Sequence, residues 1–322
     1  MPKFSIIIPC FNGFNLMKKA LESLENQAFK DFEVIIIDDV STDGSFEKLI
    51  QYEKESCLKM KLIQNEKNLG AGRTRNIGIE NAIGKFVTFL DADDFFEEDM
   101  LKVLNDIFEK EKVDAIIFDY FLKTKNNVLK QKSLTKGKRG IVSKSDALIY
   151  SIGSTWGKAY LLKNIKDNKI EFPNLQRNED MPFNKLAISV SEAIFYCDKP
   201  MYYYVENEES LMHNRNLLNE QYAVEAFALL ESKLKNEYYH EVEAIFLKEY
   251  LYAITMTLTA KKSNEIKQHI ENALEKYPKV YQNEAIKYMT TYQKICLKAI
   301  QLKFVGLIKI LLLVKYFVKK VR

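Results

Sequence analysis

The first 120 residues alternate short apolar runs with longer amphipathic segments, and this alternation limits the folds that the chain can adopt. Strands are predicted for the apolar runs at residues 4–8, 32–37, 60–63, 86–90 and 115–120. Helices are predicted for the segments at residues 16–27, 44–55, 74–82 and 97–110. Elements that alternate in this way form a mainly parallel sheet with helices on its faces. The predicted fold class is therefore α/β.

The length and the apolar content predict one main domain followed by a second part. A chain of 322 residues with 47% hydrophobic residues can bury a substantial core, and a typical domain has about 150 residues. Beyond residue 216 the sequence is largely helical. We divide the chain into a first α/β half at 1–120, a second half of the same domain at 121–212, and a helical C-terminal region at 213–322.

Polar residues follow three of the predicted strands at the point where each strand ends. Residues 9–12 follow the first strand, Asp38 and Asp39 follow the second, and residues 91–94 follow the fourth. Sheets of this class bind ligands beyond the carboxyl ends of their strands. We therefore expect the three clusters to converge on one rim of the sheet.

Residues 91–94 place three carboxylates within four residues, directly after an apolar run. Crowded acids repel one another unless a cation lies among them, and a divalent metal ion supplies that charge. The alternative is an ordinary turn whose aspartates cap the following helix, since Asp is a good N-cap. This segment alone leaves both interpretations open.

Four motifs together resemble those of family 2 glycosyltransferases, which have the GT-A fold. They are SIIIPCFN at residues 5–12, VIIIDDVSTDGS at 34–45, the segment 68–76 that contains Asn68-Leu69-Gly70 and Arg75-Asn76, and FLDADD at 89–94. The order and spacing of these motifs make the resemblance specific. It implies an inverting enzyme that uses a nucleotide sugar, usually a UDP-sugar, bound at the rim of the sheet through Mn²⁺ or Mg²⁺.

The resemblance also implies roles for individual residues of the rim. Asp93 is implied as the main metal ligand, with Asp91 facing the ribose or the metal and Asp94 assisting. A divalent cation at this place neutralises the charge that develops on a diphosphate leaving group.

Nucleotide recognition is implied for residues earlier in the chain. Asp39 is implied to accept a hydrogen bond from the imide N–H of uracil, Pro9 and Phe11 to frame the base, and Arg75 to help fix the nucleotide. The alternatives are a capped turn at Asp38-Asp39 and a surface cation at Arg75.

An inverting transfer needs a base that removes the proton of the acceptor hydroxyl. The segment 177–183 resembles the Glu-Asp motif of the family, which implies that Asp180 is the base and that Glu179 orients the acceptor or Asp180. The alternative is that both are ordinary acids of a helix N-terminus. His213 is a weaker candidate for contact with the diphosphate, and an exposed loop histidine explains it as well.

Two further segments resemble elements of the family near the acceptor region. They are Trp156-Gly157-Lys158-Ala159-Tyr160 and Pro200-Met201-Tyr202-Tyr203-Tyr204. Trp156 is therefore a candidate substrate-binding residue, although a lone tryptophan is usually a packing residue. The residues Gly72-Arg73 and Cys10 differ from those that are usual at these places in the family. These differences leave the identity of the sugar open.

The cysteines and the N-terminus predict a cytoplasmic protein. The four cysteines are scattered without a C-x-x-C pair, and the first apolar run is too short for a signal-peptide core. We expect reduced cysteines and no export of the chain. We also expect no nucleic-acid partner.

The charge is concentrated at the C-terminal end. Residues 279–322 carry nine lysines and Arg322 against the single acid Glu284. Residues 301–322 combine fourteen large apolar side chains with six cations, and no uncharged run reaches the ~20 residues needed to span a bilayer. The composition of this tail therefore predicts peripheral contact with anionic lipid on the inner face of the plasma membrane. The alternative is packing of the tail on its own domain or in a homodimer.

Two other functions are compatible with parts of the sequence. Residues 69–75 superficially resemble the Gly-rich loop of nucleotidyltransferases, but that loop should follow the first strand and this segment follows the third. A non-catalytic protein that only binds sugar nucleotides is the other alternative. The function we predict is transfer of a sugar from a UDP-sugar to a saccharide or lipid-linked saccharide, in synthesis of bacterial surface polysaccharide or glycolipid.

Overall fold

The computed structural model describes residues 1–206, 220–249 and 262–311. The chain divides into two compact units, Met1–His213 and Asn214–Arg322. The first unit holds a mixed sheet with helices on its faces, and the second unit is helical in its described parts. The predicted helical character of the C-terminal region is thus confirmed for residues 220–249 and 262–311.

Among the described residues, ten strands of the first unit form one sheet. They are β1 (Phe4–Cys10), β2 (Phe32–Asp38), β3 (Met60–Gln64), β4 (Phe86–Phe89), β5 (Phe95–Phe96), β6 (Ala115–Lys123), β7 (Val128–Gln131), β8 (Gly140–Val142), β9 (Lys158–Leu161) and β10 (Ile194–Val205). Their order is β3-β2-β1-β4-β9-β6-β10-β5, with β7 beside β6 and β8 beside β10. Strands β1, β2, β3, β4, β6 and β10 share one direction, and the others run opposite to it. The sheet is mostly parallel, as predicted.

Seven helices of the first unit are described. They are α1 (Phe14–Glu25), α2 (Ser45–Glu55), α3 (Ala71–Asn81), α4 (Met100–Glu111), α5 (Lys144–Tyr150), α6 (Leu162–Asp167) and α7 (Asp180–Ser189). Two predicted helix starts are wrong by three residues, since α3 begins at Ala71 and not at residue 74, and α4 begins at Met100 and not at residue 97. The preceding Phe95–Phe96 pairs with Tyr202 and Tyr203 as a short strand, and this pairing keeps the chain extended after the aspartate cluster.

The alternation of side chains along β1 explains how helices cover both faces of the sheet. Ile6 and Ile8 share one apolar cluster with the buried residues of α1, which recur at helical spacing. Ile7 points to the other face and lies so close to Gly78 of α3 that a Cβ at Gly78 would clash with it. The absence of a side chain at Gly78 therefore lets α3 pack closely on the sheet.

The described parts of the second unit consist of helices and short 3-10 turns. They are α8 (Glu220–Leu234), α9 (Tyr239–Ile245), α10 (Ser263–Lys276), α11 (Thr291–Gln301), the 3-10 turns Val280–Gln282 and Glu284–Tyr288, and a helical segment at 305–311. Glu231 of α8 accepts a hydrogen bond from the Tyr277 hydroxyl at 2.6 Å, which fixes the end of α10 on α8. Within the described ranges, no helix combines the length and the apolar character that crossing a membrane requires.

Candidate active site

The loops that follow β1, β2 and β4 meet at one rim of the sheet. Cys10 lies opposite Asp38 in the register of β1 and β2, and Phe89 lies opposite Ile7 in that of β4 and β1. Past the strands, the amide of Asp39 donates to the Cys10 carbonyl at 2.7 Å. The predicted convergence of the polar clusters is thus present in the structure.

The carboxylate of Asp39 is buried in the loop that precedes α3. Its oxygens accept hydrogen bonds from the Asn65 amide at 2.7 Å and from the backbone N–H groups of Leu69 and Gly70 at 2.8 Å each. The side chain of Asn68 also donates to the Asp39 carbonyl at 3.2 Å. Asp39 therefore orders the loop between β3 and α3, and its contact with uracil stays a prediction.

The segment after β1 presents an aromatic ring to solvent. Phe11 is 53% exposed, which is unusual for phenylalanine, and Pro9 is half-buried just before it. Asn12 ties this segment to the loop after β2, since its side chain accepts from the Thr42 amide at 2.7 Å and its own amide donates to Ser41 Oγ at 2.8 Å. An open ring on a fixed segment suits stacking on a flat ligand.

Arg75 of α3 joins three carboxylates that lie far apart in the sequence. The side chain is 5% exposed, and its Nη2 lies 2.7 Å from Asp91 Oδ1. Its Nη1 lies 3.4 Å from Glu179 Oε1 and 3.3 Å from Asp180 Oδ1. The structure thus brings four of the predicted site residues together, and the part of Arg75 in fixing a nucleotide stays a prediction.

Burial and neighbouring charges change the ionisation of this group. The pKa of Glu179 is raised to about 7, with burial as the largest cause; the charges of Asp180 and Asp91 also raise this pKa, while Arg75 opposes the rise. A carboxyl of this pKa can carry a proton near neutral pH, which an ordinary glutamate does not.

Gly72 of α3 permits the approach of Glu179, and the sequence did not reveal this. A Cβ at Gly72 would lie 2.8 Å from Glu179 Cγ and 3.2 Å from Phe172 Cβ. Gly72 and Arg73 differ from the residues that are usual at this place in the family. A side chain at position 72 would displace Glu179.

The three aspartates after β4 have different surroundings. Asp94 is fully buried, and its carboxylate accepts from the Tyr202 hydroxyl at 2.6 Å and from the Val205 amide at 2.8 Å. Burial, followed by the charges of Asp91 and Asp93, holds the pKa of Asp94 well above its usual range. Tyr202 also accepts from the Asp91 amide at 3.2 Å. The sequence placed Tyr202 in an element of the family but gave no sign of this contact.

Asp91 and Asp93 fit a metal ion that binds together with a phosphate-bearing ligand. Both are partly exposed, and carboxylate oxygens suit Mg²⁺ and Mn²⁺. Over residues 1–206, 220–249 and 262–311, no group of three or more His, Cys, Asp or Glu side chains is arranged to hold a metal ion. Mg²⁺ commonly takes only one or two carboxylates and completes its shell with water and phosphate oxygens. The bonds of Asp94 to Tyr202 and Val205 favour a supporting position over direct ligation.

Trp156 lies in a stack of aromatic rings with little of its surface open. Its ring centroid is 5.0 Å from that of Tyr202 and 5.2 Å from that of Tyr204, both nearly parallel, and Tyr120 contacts it edge-on at 4.7 Å. Only 8% of Trp156 is exposed. Packing explains this residue, and its direct contact with a substrate stays a prediction. His213 lies outside the described residues.

A mostly parallel sheet with acids, an arginine and an open aromatic ring at one rim defines an α/β protein whose candidate site lies at the carboxyl ends of its strands. The family model described as "Glycosyl transferase family 2" matches residues 5–167. This chain belongs to the family 2 glycosyltransferases, and the resemblance found in the sequence is confirmed.

Two relatives and one solved structure define the similarity further. The chain is 29% identical over 260 residues to poly(ribitol-phosphate) beta-N-acetylglucosaminyltransferase TarS of Staphylococcus aureus, covering 78% of this chain and 44% of TarS. It is 33% identical over 206 residues to GalNAc(5)-diNAcBac-PP-undecaprenol beta-1,3-glucosyltransferase of Campylobacter jejuni, covering 62% and 63%. The chain thus spans less than two thirds of the length of either relative.

The crystal structure of S. aureus TarS 1-349 in complex with UDP-GlcNAc matches with a TM-score of 0.72 and 26% identity, over 96% of this chain and 90% of that one. The predicted GT-A fold is confirmed by this match.

Proposed function

We propose that this protein transfers a sugar, with inversion, from a UDP-sugar to a hydroxyl of a saccharide or lipid-linked saccharide during synthesis of bacterial surface polysaccharide or glycolipid. The observation that carries the proposal is the convergence of Asp91, Arg75, Glu179 and Asp180 at the carboxyl rim of the sheet. TarS and the C. jejuni relative, named for transfer to a polyol-phosphate polymer and to an undecaprenol-linked saccharide, support the class of acceptor.

Donor binding is assigned to residues 1–120. Pro9 and Phe11 frame the base, and Asp39, whose loop is already ordered by its own hydrogen bonds, accepts from the uracil imide. Arg75 helps to fix the nucleotide. UDP-GlcNAc is the first donor to test, because the matching TarS structure contains it.

Asp93 and Asp91 are the residues that would hold Mn²⁺ or Mg²⁺. Such an ion, when bound, neutralises negative charge on the diphosphate as it leaves. Asp94 supports the segment 91–94 by accepting hydrogen bonds from the Tyr202 hydroxyl and the Val205 amide.

Acceptor binding and proton removal are assigned to residues 121–212. As the acceptor oxygen bonds to the anomeric carbon, the bond from that carbon to the diphosphate breaks and its electron pair leaves with UDP. Asp180 takes the hydroxyl proton, and its 29% exposed side chain leaves room for an acceptor. Glu179, with its raised pKa, orients the acceptor hydroxyl or Asp180. Trp156 contributes to this side of the site.

The C-terminal region is proposed to place the enzyme on the cytoplasmic face of an anionic membrane. Exposed apolar side chains occur at Leu302, Phe304 and Ile310, in a stretch that carries lysines and no acid. Deletion of residues 301–322 should abolish flotation with anionic vesicles, while zwitterionic vesicles should float neither form. Unchanged flotation of the truncated protein would reject the membrane role of this region.

Thermal unfolding against a panel of UDP-, GDP-, CDP- and TDP-sugars, with and without Mn²⁺, tests the donor proposal. A ligand that binds the folded protein raises Tm by mass action. We expect a Mn²⁺-dependent rise with a UDP-sugar and none with the other nucleotides. A rise with a GDP-sugar alone would reject the uracil assignment of Asp39.

A further inference from the structure

Two lysine side chains are buried beside the segment 151–155, which is part of the connection from α5 to β9. Lys158 Nζ donates to the Ser154 carbonyl at 2.7 Å. Lys185 Nζ donates to the Ser151 carbonyl at 2.8 Å and to Ser151 Oγ at 3.1 Å. Both side chains are at most 1% exposed. Removing an ammonium group from water is unfavourable unless its hydrogens find acceptors, and here the acceptors are backbone carbonyls.

A third side chain binds the same segment. Asn184 Nδ2 donates to the Gly153 carbonyl at 2.5 Å and also to the Ser154 carbonyl. Its Oδ1 accepts from the buried Tyr160 hydroxyl at 2.8 Å, which fixes the orientation of the amide. Lys158, Asn184 and Lys185 together form what we call the carbonyl clamp.

The carbonyl clamp lies next to the acid assigned as the base. Asn184 follows Asp180 by one helical turn, so the two residues share a face of α7. The clamp binds the carbonyls of residues 151, 153 and 154, and the next amide, that of Thr155, faces Asp180 Oδ2 at 3.4 Å. Arg75 approaches the other oxygen, Oδ1, at 3.3 Å. The two carboxylate oxygens of Asp180 are therefore contacted by different parts of the fold, Oδ1 by Arg75 and Oδ2 by the Thr155 amide.

We propose that the carbonyl clamp consists of positioning residues, which hold the segment 151–155 so that the Thr155 amide fixes the direction of the Asp180 carboxylate toward the acceptor. This inference rests on the proposed function, since it takes Asp180 as the base. A base must lie within hydrogen-bond reach of the proton that it removes, so a loss of its orientation lowers turnover more than donor binding.

The substitution Lys158→Met separates positioning from simple structural support. Methionine has a similar length and no charge to bury, but it removes one of the two hydrogen bonds that hold the Ser154 carbonyl. We expect kcat for sugar transfer to fall roughly 10-fold to 100-fold, with the donor KM unchanged and Tm equal to or above that of the wild type. Asn184→Ala, which loosens two carbonyls, should show the same fall in kcat with unchanged donor KM.

Lys144→Met is the matched control. Lys144 also donates to a backbone carbonyl of α7, that of Ser189 at 2.9 Å, but at the far end of the helix. Its kcat should equal that of the wild type.

Asp180→Asn distinguishes the two ways in which the account can fail. Full transfer by Asp180→Asn would reject the base assignment and the proposed function with it. Loss of transfer in Asp180→Asn but wild-type kcat in both Lys158→Met and Asn184→Ala would reject the carbonyl clamp alone. A fall in kcat that occurs only together with lost donor binding would also reject positioning, because it would indicate a general loss of structure.

Discussion

The proposed donor side and the proposed acceptor side of the rim are held together by different kinds of contact. On the donor side, Asp39 binds the backbone of Leu69 and Gly70, which lie in the next βα unit of the chain. On the acceptor side, Glu179 and Asp180 meet Arg75 across more than a hundred residues of sequence. The donor side is therefore formed by motifs of one β-α region, whereas the acceptor side depends on buried polar contacts between residues that are distant in the sequence.

This difference predicts that binding and turnover can be changed separately. Substitutions around Asp39 should act on donor affinity, and substitutions around Asp180 should act on the rate of transfer. Arg75 contacts both sides, so it should be the residue whose loss affects both.

The largest effect is expected for Asp180→Asn. Removal of a general base typically slows a reaction about 100-fold to 10,000-fold. We expect a fall in kcat within that range with the donor dissociation constant unchanged, as measured by a transfer assay and by titration calorimetry. Asp167→Asn, which removes an exposed acid paired with Lys163 at 2.7 Å, is the control and should transfer normally. A large loss of donor affinity in Asp180→Asn would break the separation of the two sides.

Arg75→Met should give the largest loss of stability. It leaves Asp91, Glu179 and Asp180 close together without their shared cation, and breaking a buried ion pair on one side typically costs about 3 kcal/mol or more. Urea denaturation should show a lower midpoint, with donor affinity and turnover both reduced. Arg75→Lys should recover only part of the stability, because one ammonium cannot reproduce the planar fork. A wild-type midpoint in Arg75→Met would contradict the joining role of Arg75.

Asp39→Ala should have an intermediate effect confined to the donor side. The substitution leaves the amides of Leu69 and Gly70 without their acceptor, and each such loss costs about 1–3 kcal/mol. We expect at least about a tenfold weaker donor affinity, with kcat at saturating donor preserved. Asp106→Asn, on the exposed face of α4, should bind donor as the wild type does. A selective loss of kcat in Asp39→Ala would reverse the assignment of the two sides.

A further effect concerns the pH dependence of stability at Glu179. Its pKa in the folded protein, about 7, exceeds that of a glutamate in an unfolded chain, about 4.3. Between these values the folded protein holds a proton that the unfolded chain has released, so the free energy of unfolding falls as the pH rises from about 4.3 to about 7. Glu179→Gln should lack this part of the pH dependence in denaturant titrations. An unchanged slope in the variant would show that Glu179 does not titrate in this range.

The sequence predicted the convergence of the polar segments after β1, β2 and β4 because the signals for it are local. Apolar runs defined β1 to β4, and the polar residues after them converge because parallel strands end at one rim. The supporting contacts of Asp94 and the carbonyl clamp could not be predicted, because both depend on residues that are distant in the sequence. Tyr202 is 108 positions from Asp94. Asn184 is at least 30 positions from the carbonyls that it binds. A buried lysine such as Lys158 also looks like any surface lysine until its surroundings are known. The start of α4 was wrong for the same reason, because a distant strand holds Phe95–Phe96.

Analysis of the products formed from UDP-GlcNAc and Mn²⁺ with a saccharide acceptor tests the central claim most directly. We expect UDP as the nucleotide product, with the sugar attached to the acceptor in the β configuration, as resolved by anion-exchange chromatography and NMR. Release of pyrophosphate would instead indicate a nucleotidyltransferase. Binding of UDP-sugars without turnover on any saccharide acceptor would contradict the enzymatic account and indicate a protein that only binds sugar nucleotides.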